Sequence, residues 1–156
     1  MNDIRFCEAQ KGDLKYIVQM LADDPLGIQR ERFKSPLPSS YSNAFDSIDK
    51  ASNNALILAL LKDEIIGVLQ LTFIPNLTYQ GSWRAMIEGV RVSSKFRSKG
   101  IGQSLIQEAI RRANIKGCCL VQLTTDKQRP DAIKFYEKLG FTSSHEGMKL
   151  HLNSSE

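Results

Sequence analysis

Val90-Arg91-Val92-Ser93-Ser94-Lys95-Phe96-Arg97-Ser98-Lys99-Gly100-Ile101-Gly102 reads as a strand, a basic turn, a Gly-x-Gly step and a helix start. From Gln103 to Ala113 the helix is clear. Ile101, Leu105, Ala109 and Ala113 recur every four residues, and Ile106 and Ile110 broaden the stripe. A glycine turn feeding a helix leaves backbone N–H groups without internal partners, and the helix dipole adds about half a positive charge there. With Arg97 and Lys99 beside it, the turn is an expected anion site, phosphate being the usual occupant. An ordinary glycine-rich helix start is the plainer reading of the same residues.

Two phosphate loops do not fit. A dinucleotide loop needs Gly-x-Gly-x-x-Gly, and Leu105 stands at the third glycine. A triphosphatase loop closes on Gly-Lys-Ser/Thr, whereas Lys99 precedes the glycines here. The pattern that fits is Arg/Gln-x-x-Gly-x-Gly/Ala, as Arg97-Ser98-Lys99-Gly100-Ile101-Gly102. Further on, Ala132-Ile133-Lys134-Phe135-Tyr136-Glu137-Lys138-Leu139-Gly140-Phe141 supplies Ala-x-x-Phe-Tyr-x-x-x-Gly-Phe. One helix and one strand lie between the two motifs. Together they resemble the pyrophosphate turn and the late signature of the GNAT superfamily of N-acetyltransferases, which use acetyl-CoA. The resemblance is motif-specific from Glu88 to Phe141 and extends over the chain by element order. Many members carry asparagine three residues before the alanine of the late motif, and this chain has Arg129 there.

The chain of 156 residues fits a single domain, 1–156, able to bury a core. With 42% hydrophobic and 24% charged residues its composition is that of a globular protein. No apolar run reaches the roughly 20 residues that span a bilayer, so no membrane association is expected. Met1 to Arg5 lack a basic region followed by an apolar one, so no signal peptide is expected and the cytoplasm is the default location. The net charge of +4 suits a polyanionic ligand as well as a solvated surface, without a Lys/Arg block dense enough for nucleic acid. Cys7, Cys118 and Cys119 offer no Cys-x-x-Cys, and His145 and His151 stand apart, so no metal site, disulfide framework or Cys–His pair is expected. Cys118 and Cys119 read as buried thiols beside an apolar run.

In chain order, Ile4–Cys7 alternates as a strand. Asp13 caps a helix striped by Leu14, Ile17, Val18 and Leu21, which stops near Asp23-Asp24-Pro25. Leu26 to Ser40 is a polar loop or weak helix start, and Tyr41, Phe45 and Ile48 mark a second helix. Ala55–Leu61 and Ile65–Ile74 form a hairpin around Lys62-Asp63-Glu64. Asn76 to Ser82 is a loop, and Trp83 to Val92 is the strand feeding the turn, with Glu88, Val90 and Val92 on one face. Gly89 inside that strand suggests a bulge. Leu120 to Thr124 is a strand. Pro130 opens a helix that Gly140 closes. Phe141 and Met148–Leu152 begin two last strands. The expected architecture is α/β of the mixed α+β kind: a GNAT fold whose mostly antiparallel sheet has a parallel central pair, flanked by about four helices.

The resemblance implies the site. Glu88 is the expected general base, directly or through water, in a part-buried setting that raises its pKa toward neutrality. Tyr136 is the expected general acid for the CoA sulfur, or alternatively a core tyrosine. Pantetheine is expected along the strand Val90-Arg91-Val92, sharing its backbone hydrogen bonds, with the Val90 N–H polarising the thioester carbonyl. The amides from Arg97 through Ser98, Lys99, Gly100, Ile101 and Gly102 hold the pyrophosphate, with Gln103 and Ser104 as further contacts. The acceptor site falls to Leu26–Ser52, Asn76–Ser82 and Thr142–Gly147, where Arg30, Arg32 and Lys34 suit an acceptor bearing a carboxylate. The partners implied are acetyl-CoA and a small amine or amino-acid-like acceptor. The resemblance also allows protein or antibiotic acceptors and a homodimer. A non-catalytic acyl-CoA-binding module is the reading from another class.

Overall fold

In the computed structural model, which describes residues 3–152, β1 (Ile4–Glu8), β2 (Asn54–Leu61), β3 (Glu64–Pro75), β4 (Trp83–Val92) and β5 (Leu120–Leu123) form one sheet in that order. The first four strands pair antiparallel, and β5 runs parallel to β4, as a strand–helix–strand crossover requires. The helices are α1 (Leu14–Ala22), α2 (Gly27–Arg30), α3 (Ser39–Lys50), α4 (Thr78–Gly81), α5 (Ile101–Lys116) and α6 (Pro130–Lys138). Four of them have nine residues or more, and α2 and α4 are single turns. The mostly antiparallel mixed sheet with a parallel β4–β5 pair is the expected GNAT arrangement, with the pair at the edge of the described sheet rather than at its centre.

Residues up to Leu123 and those from Thr124 onward form two compact units. In the first, α1 and α3 cover one sheet face, where Leu14, Ile17, Met20 and Phe45 pack with Leu58, Leu60 and Val68. The other face carries Ile57, Leu69, Leu71, Ala85 and Ile87, all buried, and meets α5. Gly67 sets that approach: a Cβ there would lie 2.8 Å from Leu105 Cδ1 and 3.3 Å from Ile101 Cγ2. Strands covered on both sides explain the near-continuous apolar runs of β2 and β3. The β2–β3 turn places Lys62 and Asp63 at φ 48° and 68°, the left-handed pair of a two-residue hairpin. In the second unit Pro130 opens α6, and Gly140 at φ 98° closes it.

Several expectations are corrected. The region after α6 contains no strand among the described residues. Met148, Leu150 and Leu152 keep their alternation but are exposed, so no buried face fixes them as strand. Leu26 to Ser40 holds one helical turn, α2, and the first two residues of α3, and the loop before β4 holds another turn, α4, with Tyr79 and Gln80 left-handed. The Asp13 carboxylate accepts from the Gln10 amide and makes no side-chain cap on α1. Cys119 is exposed and Cys118 half-buried, because the two lie in the short crossing from α5 to β5 rather than within the sheet. Burial, then the neighbouring Cys119, pushes the Cys118 thiol up.

On α5 the buried Glu108 accepts hydrogen bonds from Arg111 (2.9 and 2.7 Å) and Arg112 (2.9 Å). The Arg111 hydrogen bonds, joined by those of Arg112 and partly offset by burial, lower its carboxyl to about 2 from an ordinary 4.5. A depressed carboxyl stabilises fully above its unfolded pKa and loses that contribution as pH falls toward the folded value. Glu108→Gln is therefore expected to cost about 1–2 kcal/mol at neutral pH. It should also remove the share of the fall in stability between pH 4.5 and 2 that Glu108 contributes, read as a shallower decline in urea unfolding across that range.

Candidate active site

The site begins with a fault in β4. Gln70 pairs with Glu88 and Val68 with Arg91, so Gly89 and Val90 together oppose Leu69. Gly89 adopts φ 61°, as a glycine-led bulge requires, and confirms the expected bulge. The extra residue reverses the alternation. Glu88 and Arg91 share the face of Gln70 and Val68, toward α1 and α3, while Val92 pairs with Gly67 on the α5 face. The expectation that Glu88, Val90 and Val92 share one face therefore fails at Gly89. A Cβ on Gly89 would stand 3.9 Å from Leu21 of α1.

β5 pairs only with Arg84–Ile87 and ends at Leu123. From Glu88 to Val92, β4 has a strand neighbour only on its β3 side. Ser93 N–H donates to Ile66 O of β3 at 2.8 Å, so the backbone groups of Val92 face the open edge. Glu88 is exposed, not part-buried as expected. Val90, Arg91 and Val92 are half-buried.

The chain then makes a three-ten turn, Ser94–Phe96, and enters α5 through Ser98 at φ 62° and Gly100 at φ 82°. Gly100 stands at the N-cap with no side-chain cap, so the first amides of α5, at Ile101, Gly102 and Gln103, have no intrahelical partner. Ile101 is fully buried and anchors the helix start. Gly102 is half-buried and Gln103 exposed, and Ser104 turns its hydroxyl onto Gly100 O at 3.1 Å. Sixteen residues of helix stand behind these amides, giving the anion-attracting geometry expected of the turn. Lys99 is exposed, its ammonium 5.6 Å from the Phe96 ring centroid.

Two acidic residues read in the sequence only as a helix stop turn out to organise the arginines. Arg97 Nη2 donates to Asp23 O at 2.7 Å, with the Asp23 carboxylate at 3.5 Å, and its Nε donates to Val92 O at 3.3 Å. Arg91 Nη1 donates to Val90 O at 2.8 Å, and its Nε lies 3.9 Å from the Asp24 carboxylate, which also accepts from the Gly27 amide. The charge of Arg97 thus rests at the end of α1. Proximity across 74 residues leaves no local signal, although two acids at a helix C-terminus invite basic partners.

Tyr136 belongs to the second unit, on α6. It is half-buried, its ring edge-on to Phe135 at 5.0 Å and Phe141 at 5.8 Å between centroids. On α3 Tyr41 is committed: its hydroxyl donates to Glu31 at 2.9 Å and accepts from the Arg32 amide at 3.0 Å. Trp83 lies under the Lys116 ammonium at 4.6 Å.

Residues 19–141 match the model of the Acetyltransferase (GNAT) family. A glucosamine 6-phosphate N-acetyltransferase of Trypanosoma brucei brucei is 34% identical over 88 residues, 56% of this chain and 58% of that protein. An aminoalkylphosphonate N-acetyltransferase of Salmonella typhimurium is 32% identical over 88 residues, 56% of each chain. The match thus spans little more than half the length of these relatives. A solved structure from Bacillus halodurans C-125, described as that of a transcriptional regulator, is 59% identical with a TM-score of 0.93. That match covers 96% of this chain and 99% of the other. With most of its length inside the family model, this chain belongs to the GNAT family of acetyltransferases.

Proposed function

We propose that the protein moves an acetyl group from acetyl-CoA to the primary amine of a small acceptor, by direct attack of the amine. The observation carrying this reading is the open β4 edge from Glu88 to Val92, continuing into an uncapped α5 N-terminus. An extended thioester arm fits the edge as an added strand, through the Val90 and Val92 N–H groups, and its pyrophosphate fits the amides from Arg97 to Gly102, with Gln103 and Ser104 adjoining. Acetyl-CoA supplies the activated acetyl group. Glu88 takes the proton of the attacking amine, directly or through water. The Val90 N–H steadies the oxygen that gains charge as the amine adds. Tyr136, carried over from the Phe-Tyr-x-x-x-Gly-Phe motif, returns a proton to the departing thiolate.

The acceptor we favour is a small amine carrying an anionic group. Arg30, Arg32 and Lys34 place three cations on one short segment, and two relatives are named for phosphorylated or phosphonate-bearing amines. Thiol release from acetyl-CoA across amines, amino acids, amino-sugar phosphates, aminoglycosides and peptides tests the reading. Saturation with an anionic amine supports it, whereas silence across the panel with CoA still bound overturns it. The description of the Bacillus halodurans protein favours a second reading, a regulator that binds acyl-CoA without turnover, and the same silence would support that one.

Tyr136→Phe tests the proposed acid. A thiol with an ordinary pKa near 8.5 leaves readily as thiolate, so losing the hydroxyl is expected to lower kcat by only about tenfold. CoA affinity by calorimetry should be unchanged. Unchanged kcat would remove Tyr136 from the chemistry.

A further inference from the structure

We propose that Arg97 is a positioning residue: it ties the phosphate turn to the C-terminus of α1 through Asp23, rather than contacting the phosphate with its guanidinium. This deepens the acetyl-CoA reading and rests on it.

The geometry uses Arg97 twice. Its Nε reaches back to Val92 O, the last carbonyl of β4, and closes the Ser93–Phe96 turn onto the strand it leaves. Its Nη2 donates to Asp23 O at 2.7 Å, one of the carbonyls that the end of α1 leaves without an internal partner. The Asp23 carboxylate at 3.5 Å and the negative pole of α1 hold the cation there. A guanidinium suits this because its rigid fork serves the two carbonyls from separate nitrogens, whereas a lysine ammonium offers a single nitrogen on a flexible stem. The next residue, Ser98, sits at φ 62° and Gly100 at φ 82°. Such a turn needs external fixing to hold its amides on a ligand. Moving Arg97 to a phosphate would strip Val92 O and Asp23 O of their donor and release the turn. The attraction of the site then resides in the α5 amides and in Lys99.

The sign of one substitution decides the matter. Asp23→Lys makes the neighbourhood of the turn more positive by two charges and places a cation at a helix C-terminus, where it is tolerated. Pure electrostatics predicts tighter binding of the polyanion CoA. The Asp23 carbonyl survives the substitution, but the carboxylate is replaced by an ammonium that repels the Arg97 guanidinium from it, and displacement of Arg97 predicts the reverse: about five- to tenfold weaker CoA binding by calorimetry, and an acetyl-CoA KM raised by the same factor. The kcat and thermal midpoint should be unchanged. Arg97→Lys should show the same weakening despite keeping its charge. CoA affinity that is unchanged or tighter in Asp23→Lys would overturn the role of Arg97 while leaving the reading of the turn intact. Absence of CoA binding by the unaltered protein would overturn both.

Discussion

Replacing Glu88 with glutamine is expected to lower kcat by about 10²–10³-fold while leaving CoA affinity within about twofold. Glutamine keeps the size of the side chain and its ability to hydrogen-bond, but takes no proton from the attacking ammonium. Glu88 is exposed and pairs across the sheet with Gln70, so the change should cost little stability and the kinetic loss can be assigned to chemistry. A loss of about 3–4 kcal/mol in transition-state stabilisation corresponds to that fall in rate. The check is steady-state kinetics with the best acceptor, beside calorimetric CoA binding. The pH profile supplies a second check: the limb reporting the base should vanish in the variant. A variant that keeps both rate and limb would mean that another group, or water alone, removes the proton.

Leu105→Ala is expected to destabilise the fold by about 3 kcal/mol, through lost transfer energy and the cavity left behind. Leu105 is fully buried, and its Cδ1 lies where a Cβ on Gly67 would lie within 2.8 Å. It is therefore a principal contact holding α5 against β3. The thermal midpoint should fall by about 6–12 °C. Because α5 also presents its N-terminal amides, acetyl-CoA KM should rise as the helix loosens, while residual kcat at saturation persists. A midpoint shift below about 2 °C would show that the site repacks without loss.

How far the sequence disclosed this molecule varies by physical cause. The helix α5 was legible because its stripe repeats over four turns, and the Gly100–Gly102 start because few arrangements use such spacing. The hairpin of β2 and β3 was legible from two apolar runs around a polar turn. The facing of Glu88 and Val92 was not, because the phase of a strand hangs on whether one glycine counts as a step or a bulge, and only the pairing with β3 decides it. The partners of Arg91 and Arg97 were not legible either. Asp23 and Asp24 lie before α2, α3, the β2–β3 hairpin and α4, and ion pairs between distant segments leave no periodic trace. The alternation of Met148, Leu150 and Leu152 was legible as a pattern, but all three stay exposed, since a pattern specifies a strand only where something buries one of its faces.

The open edge of β4 also bears on colloidal behaviour. Backbone groups on this edge that turn away from β3, the Val92 N–H among them, form a template on which the strand of another molecule can grow. One feature already described blunts it: the kink at Gly89 spoils the straight register a docking strand needs. An occupant lying along this edge would therefore also shield it from self-association, so that protein saturated with such a molecule resists aggregation better than protein without it.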